Sequence, residues 1–363
     1  MFQDMRRRAW RPSQGAERFR TAARGRRRAI TPALELLEGR RLLSFYTGPS
    51  AIRPVHSSAG DFLIQVGGPG LVKVHPAGHG AIDLIAFGTT ADSTITVTLV
   101  HPRWHFAARL LPIDKLTVTS GLLGTLDAIP AELTGKMTPL NNTVADLTLG
   151  EIGPGAQVDI NGSVGVMTVA AIDLGPTGHV VVSGALNTAD LTDSMTIGGM
   201  NIDGGRFTIG TDSLAPISIL GSLTINHDGV FSIGRDLDGS LSVSGDLVLD
   251  SGGQLAVGRN LSDLTVTGNL IVNPSGSGIV VGGELGAVTV DGIFQGQGGM
   301  AAPTLFDLGV GLNISGLTIL GGNSSLNGLI NANIRAGGSI SGVDIVYGTV
   351  NSTIQPNTPP PAT

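Results

Sequence analysis

The chain contains no cysteine. That excludes disulfides, thiolate metal sites and cysteine nucleophiles. It does not exclude an oxidising compartment, because a repeat fold closes its core by stacking and needs no covalent staple. Aromatics are 4% and charged residues 14% of 363 residues. No run of about 20 apolar residues could span a membrane as a helix, and no apolar stretch has ordinary signal-peptide length. The phosphate-loop pattern G-x-x-x-x-G-K-[ST] is missing, and so are the G-x-S-x-G nucleophile elbow and the calcium-repeat Gly-Gly-x-Gly-x-Asp array. From 146 to 350 no stretch shows the 3.6-residue stripe of an amphipathic helix, which disfavours leucine-rich and other helix-containing repeats.

Basic charge is scarce where it would matter for nucleic acid. The net charge of −6 hides two opposed segments: residues 1–43 hold twelve Arg against four acids, and 44–363 hold ten Lys/Arg against twenty-four acids, a body of −14. Phosphate binding needs basic surface on the folded part, so no nucleic-acid partner is expected for the body.

What the chain has in excess is glycine, 55 of 363 residues, about twice the usual frequency of about 7%. With 41% hydrophobic residues, the chain is not disordered by composition. Many of the glycines are periodic. Gly210, Gly234, Gly258 and Gly282 stand 24 residues apart. Three of them open near-copies of one phrase: Gly234-Arg235-Asp236-Leu237, Gly258-Arg259-Asn260-Leu261 and Gly282-Gly283-Glu284-Leu285. Four columns follow each opening. They are Ile217, Leu241, Leu264, Val288; Ile219, Val243, Val266, Val290; Gly221, Gly245, Gly268, Gly292; and Leu223, Leu247, Leu270, Phe294. Self-similarity at this period marks a solenoid. Inside each copy the apolar residues alternate with polar ones, as Leu264, Thr265, Val266 do, which is the period of a strand with one buried face. The copy opening at 258 is one residue shorter in its first bend and regains the length in Asn273–Ser277. Bend length varies while strand spacing is kept, because a one-residue slip would turn the apolar set outward. The column glycines suit sharp bends.

Taken in order, residues 1–44 form a basic leader and 45–60, with Gly48, Pro49, Pro54 and Gly60, read as a linker. A β-helix follows over 61–350. Its coils are irregular over 61–145, where 122–142 reads as an insertion or uneven coil, and regular over 146–350. Val164, Met167 and Val169 begin the regular series; Ile314, Leu317, Ile319 and then Ile340, Val343, Ile345 end it. Residues 296–310 and 321–333 read as enlarged loops. The Pro/Thr-rich tail is 351–363. The fold expected is all-β: a right-handed parallel β-helix with coils of about 22–26 residues, preceded by a disordered or short-helical leader.

Thr31 and Pro32 can open a short amphipathic helix carrying Leu36, Leu37 and Leu43. The same stretch, Leu37-Glu38-Gly39-Arg40-Arg41-Leu42-Leu43-Ser44, resembles the LEPR-XLL type N-terminal segment of large exported planctomycete proteins. In those proteins an Arg-rich leader, the phrase and a long all-β region come in this order; here Gly39 stands where proline is usual. The resemblance covers about a tenth of the chain. It implies export or surface sorting, and no activity.

Candidate chemistry is sparse. His75-x-x-x-His79 and His101-x-x-x-His105 have a spacing that pairs metal ligands on a helix, but Pro76, Gly78 and Pro102 disfavour a helix, so the spacing loses its geometric meaning. Gly78-His79-Gly80 resembles a catalytic phrase of β-helical polygalacturonases. Their paired-Asp phrases should precede it and none does; Asp83 alone does not replace them, because glycoside hydrolysis uses two carboxylates. Asp228, Asp236 and Asp250 could share one side of a solenoid. Arg235 and Arg259, with Asp236 and Asn260, make either a polar binding strip or an exposed corner with weak ion pairs. His227-Asp228 is too common a dipeptide to weigh. No catalytic, cofactor-binding or metal residue is therefore assigned.

The function expected is that of a non-enzymatic exported surface or matrix protein, a structural or adhesion-type rod whose partners are envelope components or polysaccharide. The alternative is a carbohydrate-binding or polysaccharide-cleaving β-helix. A third reading, an intracellular assembly with a DNA-binding arm, would require retention on DNA only when residues 1–33 are present.

Overall fold

Alternation of period two buries one face of every strand, and a coil with three such strands encloses an apolar interior. The computed structural model describes residues 45–47, 53–57, 60–102, 110–140, 143–186, 195–273, 276–296, 307–321 and 328–356. The leader, the Leu37–Ser44 phrase, His105 and residues 357–363 lie outside the described residues. Those described form 33 strands and no helix. They build a parallel β-solenoid of about nine turns.

Each regular coil has three faces. Face A carries Ile217–Ile219, which pairs in parallel with Leu241–Val243, and this ladder continues through Leu264–Val266 and Val288–Val290. Face B carries Leu223, Leu247, Leu270 and Phe294 in register. Face C carries Phe207, Phe231, Leu255 and Ile279. A short fourth column, Ser213, Leu237, Leu261 and Leu285, turns the corner from face C to face A. All twelve apolar residues of the three columns read from sequence are 0% exposed.

The one-residue length change sits where the bend was expected to absorb it. Leu237 pairs with Leu261 but Ser240 pairs with Asp263, so one extra residue bulges between them. Register is back by Gln254 opposite Gly278.

Gly221, Gly245, Gly268 and Gly292 stand at bends as expected, but a left-handed backbone is not what selects glycine there or in the opening column. None of Gly210, Gly234, Gly258 and Gly282 has a positive φ. The reason is contact between coils. A Cβ on Gly234, Gly258 or Gly282 would overlap the carbonyl oxygen of the column glycine one coil earlier, and Gly311 and Gly337 extend the same column. Gly221, Gly245, Gly268 and Gly292 form a second such column at the corner between faces A and B.

The N-terminal part departs from the irregular coils expected over 61–145. Strands β1 (Phe45–Thr47), β2 (Arg53–His56), β3 (Gly60–Gly67), β4 (Leu71–Gly78), β5 (Ala81–Thr89) and β6 (Thr94–Pro102) include four antiparallel pairs: β1–β4, β2–β3, β3–β6 and β4–β5. The stretch 45–60, expected as a linker, thus supplies two edge strands. Parallel stacking begins where β5 meets β7 (Leu111–Gly121) and β6 meets β8 (Thr125–Leu140).

β8 also corrects the reading of 122–142 as an insertion. It is one 16-residue strand that passes round all three faces. Its register breaks between Ala128 and Glu132, which places Pro130, with no N–H to give, at the bend. Strands at Leu308–Val310 and Leu329–Ile330 likewise fall inside the two stretches expected as loops, and Thr353–Pro356 in the expected tail pairs with Asn333–Ala336.

Candidate functional site

The polar atoms at the corners are mostly spent on stacking. In the Gly-x-Asp-Leu phrase the third residue reaches the next coil. The backbone N–H of Asp236 donates to Asp212 Oδ1 (3.2 Å), that of Asn260 to Asp236 Oδ1 (3.0 Å) and that of Glu284 to Asn260 Oδ1 (2.9 Å). The ladder goes on through Asn313, whose Oδ1 accepts the Ser339 N–H at 2.8 Å. A second ladder stands between faces A and B: Ser222 accepts from the Asp246 N–H, Asp246 from Asn269 and Asn269 from Ile293. Sequence reasoning missed this ladder, although Gly-Ser-Leu, Gly-Asp-Leu and Gly-Asn-Leu at 221, 245 and 268 signal it.

The arginines lie on the outside of the first ladder. Arg235 pairs with Asp212 (3.5 Å) and Arg259 with Asp236 (3.3 Å), each reaching back one coil. Both guanidinium groups are more than half exposed, so these pairs contribute little. Replacing Asp236 by Ala leaves the Asn260 N–H without its acceptor, and we expect a loss of about 1–2 kcal/mol. Asp236→Asn keeps the acceptor and loses only the exposed pair, so it should recover most of that loss. Thermal unfolding of the two variants separates ladder from ion pair.

The three acids expected on one side are not together. Asp228 and Asp250 stand on the corner before face C, while Asp236 stands after it. Asp228 and Asp250 are joined instead by Asp203 and His227. His227 and Asp228 both adopt positive φ, 49° and 60°, in a tight turn, and His227 Nδ1 hydrogen-bonds Asp203 Oδ1. That bond, then the Asp203 charge, with Asp250 and Asp228 adding to them, lifts the imidazole above its ordinary pKa of 6.5. A raised folded-state pKa means the bond's contribution is full below the unfolded pKa and fades as pH rises through the folded one. The stability gap between the protein and His227→Gln should therefore be full below the ordinary imidazole pKa of 6.5 and shrink as pH rises above it. Paired denaturation curves check it; a gap that widens with pH contradicts this sign.

The histidines read from sequence do not converge. His75 sits opposite Asp83 across β4 and β5, and Gly78-His79-Gly80 is the reverse turn joining those strands, with φ of 95°, 51° and 82°. His101 is exposed at the end of β6, opposite Asp61. Among the described residues no group of three or more His, Asp or Glu side chains could hold a metal ion.

Two other features were not legible. The first is a column on the outside of face C, where Asp83, Lys115, Lys136, Gln157, His179 and Arg206 follow one another on consecutive rungs. At its end Pro176–His179 and Gly204–Arg206 line an open cleft of about 350 Å³, and His179 is held by Asp159 at 3.1 Å. At its start, Asp83 has one buried carboxylate oxygen without a hydrogen bond, and burial raises its pKa, with Asp114 adding to the effect. The second is the pair Glu132 and Glu151, directly opposite on adjacent rungs of face B. Burial, and then the Glu151 charge, raise the pKa of Glu132.

No helix among the described residues is long and apolar enough to cross a membrane. Compared with known proteins, the chain matches no family model, no curated protein and no solved structure.

Proposed function

We propose that the protein is an exported, non-enzymatic rod of the cell surface or matrix, acting as a spacer with adhesive faces. The observation that carries this reading is the use made of the corner side chains. Over 210–340 the Asp and Asn of both corners bond the next coil rather than converge on a cleft, so the most regular stretch is devoted to stiffness. The Leu37–Ser44 phrase supports export. Cell fractionation with N-terminal sequencing tests it: the protein is expected in envelope or medium with an altered N-terminus. The full-length chain, residues 1–43 included, found only in cytosol would remove the reading.

A second reading, binding of an acidic polysaccharide, is favoured by the face C column. Lys115, Lys136 and Arg206 are exposed there, and Lys73 and Arg335 lie on the same face. Lys115 and Lys136 stand one rung apart, about 4.8 Å, and Arg206 follows three rungs on, a row along which a linear chain of charged sugars could lie. Retention on a polyuronate resin, lost in a Lys136→Ala/Arg206→Ala variant and absent on a neutral glucan, would support it. Equal retention of the variant would dismiss it.

A further inference from the structure

The cleft at the end of the face C column holds polar groups that neither corner ladder uses. Its apolar surface is Pro176 and Val181, the latter being the next outward residue after His179 on the same strand. Its walls are set by the protein's own bonds. The Gly178 N–H donates to the Gly175 carbonyl at 2.9 Å, the Arg206 N–H to the Gly178 carbonyl at 3.2 Å, and the Gln157 side chain to the Thr177 carbonyl at 3.5 Å. His179 and Arg206 stand in it on adjacent rungs. The His179 side chain is 29% exposed, and its Nε2 bonds Asp159 Oδ1. A carboxylate oxygen only accepts, so Nε2 carries the proton and Nδ1 of the neutral ring is left as an acceptor. Arg206 is exposed, and among the described residues its guanidinium makes no hydrogen bond or ion pair. Arg235 and Arg259, by contrast, each reach a carboxylate one coil back. Asp203, next to Gly204, does not serve Arg206, because His227 engages it.

We propose that this cleft is the subsite for one uronate residue of an acidic polysaccharide, an inference that rests on the second reading above and gives it a binding centre. Arg206 takes the carboxylate with its fork of N–H groups. Nδ1 of His179 accepts a proton from a hydroxyl of the same sugar ring, and Pro176 and Val181 carry the ring's C–H face. The combination selects the occupant. A guanidinium without a partner calls for an anion, and an imidazole acceptor beside it calls for a donor. A sugar acid supplies both, whereas sulfate and fully ionised phosphate supply acceptors only. The volume of about 350 Å³ lies at the low end of small-ligand sites, roughly 300–1,000 Å³, so the cleft holds a single ring rather than a length of chain. The rest of the chain has a path. Lys136 stands two rungs before His179 on the same face, where the next carboxylates would pass.

The test is titration of the full chain with methyl galacturonoside, followed through the histidine ring signals by NMR, with His179→Phe identifying the His179 signal. A single sugar is too short to span the two rungs, about 10 Å, from His179 to Lys136. The expected result is a saturable shift of the His179 signal, absent with the sugar's methyl ester and with inorganic sulfate. Arg206→Ala should weaken binding about tenfold or more, the loss of a hydrogen-bonded charge pair, with unchanged circular dichroism. Lys136→Ala should leave the single sugar's affinity unchanged while weakening retention on the polyuronate resin. The subsite is overturned if the His179 signal stays still up to the sugar's solubility limit, or if the ester or sulfate moves it equally. Unchanged affinity in Arg206→Ala overturns it as well. Resin retention with no response of His179 to the single sugar sinks the subsite and leaves the cation row standing; loss of both sinks both.

Discussion

Gly258→Ala is expected to cost about 3 kcal/mol, near the top of the range for inserting one carbon into a packed interior. The new Cβ would overlap the Gly234 carbonyl oxygen, and the Gly234 carbonyl carbon lies 2.8 Å from it. Backbone on both sides is held in place: the Gly258 N–H donates to the Ile233 carbonyl at 2.8 Å and the Arg259 N–H to the Arg235 carbonyl at 2.9 Å. Relief requires the two coils to separate, which breaks ladders on the adjoining faces. Stability in a solenoid is a sum of coil interfaces, so the damage should concentrate at this interface. Gly199→Ala is the control. Gly199 has no positive φ, and no atom lies within 4 Å of where its Cβ would stand. Alanine there should be neutral or stabilise slightly, by about 0.5 kcal/mol through the unfolded chain. Hydrogen exchange should show faster opening on both sides of residue 258 and no change around 199. Equal destabilisation of the two variants would sink the steric account of the glycine column.

That account also explains what was legible. The 24-residue spacing is visible because each coil must present a glycine where the previous carbonyl sits, and a leucine such as Leu237, Leu261 or Leu285 where the core corner must be filled. The antiparallel start was not legible. Phe62, Ile64 and Val66 alternate as Leu264 and Val266 do, and alternation encodes which face is buried, not which way the neighbouring strand runs. The face C column was hidden for a different reason. Its members lie at intervals of 32, 21, 21, 22 and 27 residues, because the early coils and their loops differ in length. Only the strand register brings Lys115, Lys136 and Arg206 into line. The role of Asp236 was half visible: the phrase was evident, but the carboxylate's bond to a backbone N–H one coil away is a property of stacking.

Phe231→Ala should be the most damaging single truncation, at about 4 kcal/mol. Phe231 and Phe207 occupy adjacent rungs of face C, both 0% exposed, with ring centroids 5.1 Å apart and planes 12° from parallel. Truncation removes the buried ring and a stacked pair contributing about 1 kcal/mol beyond its burial. A globular core can partly collapse on such a void. Here the rung above and the rung below are fixed by hydrogen-bonded ladders, so Phe207 and Leu255 cannot move along the axis to fill it. The cavity persists, which puts the cost at the upper part of the range for aromatic deletions. Phe231→Leu keeps most of the volume and should lose about 1–2 kcal/mol. A double-mutant cycle with Phe207→Leu isolates the stacking part, expected as a coupling of about 1 kcal/mol. If Phe231→Ala costs no more than Phe231→Leu, the coils are free to close up, and the rigidity on which the proposed rod function rests is not there.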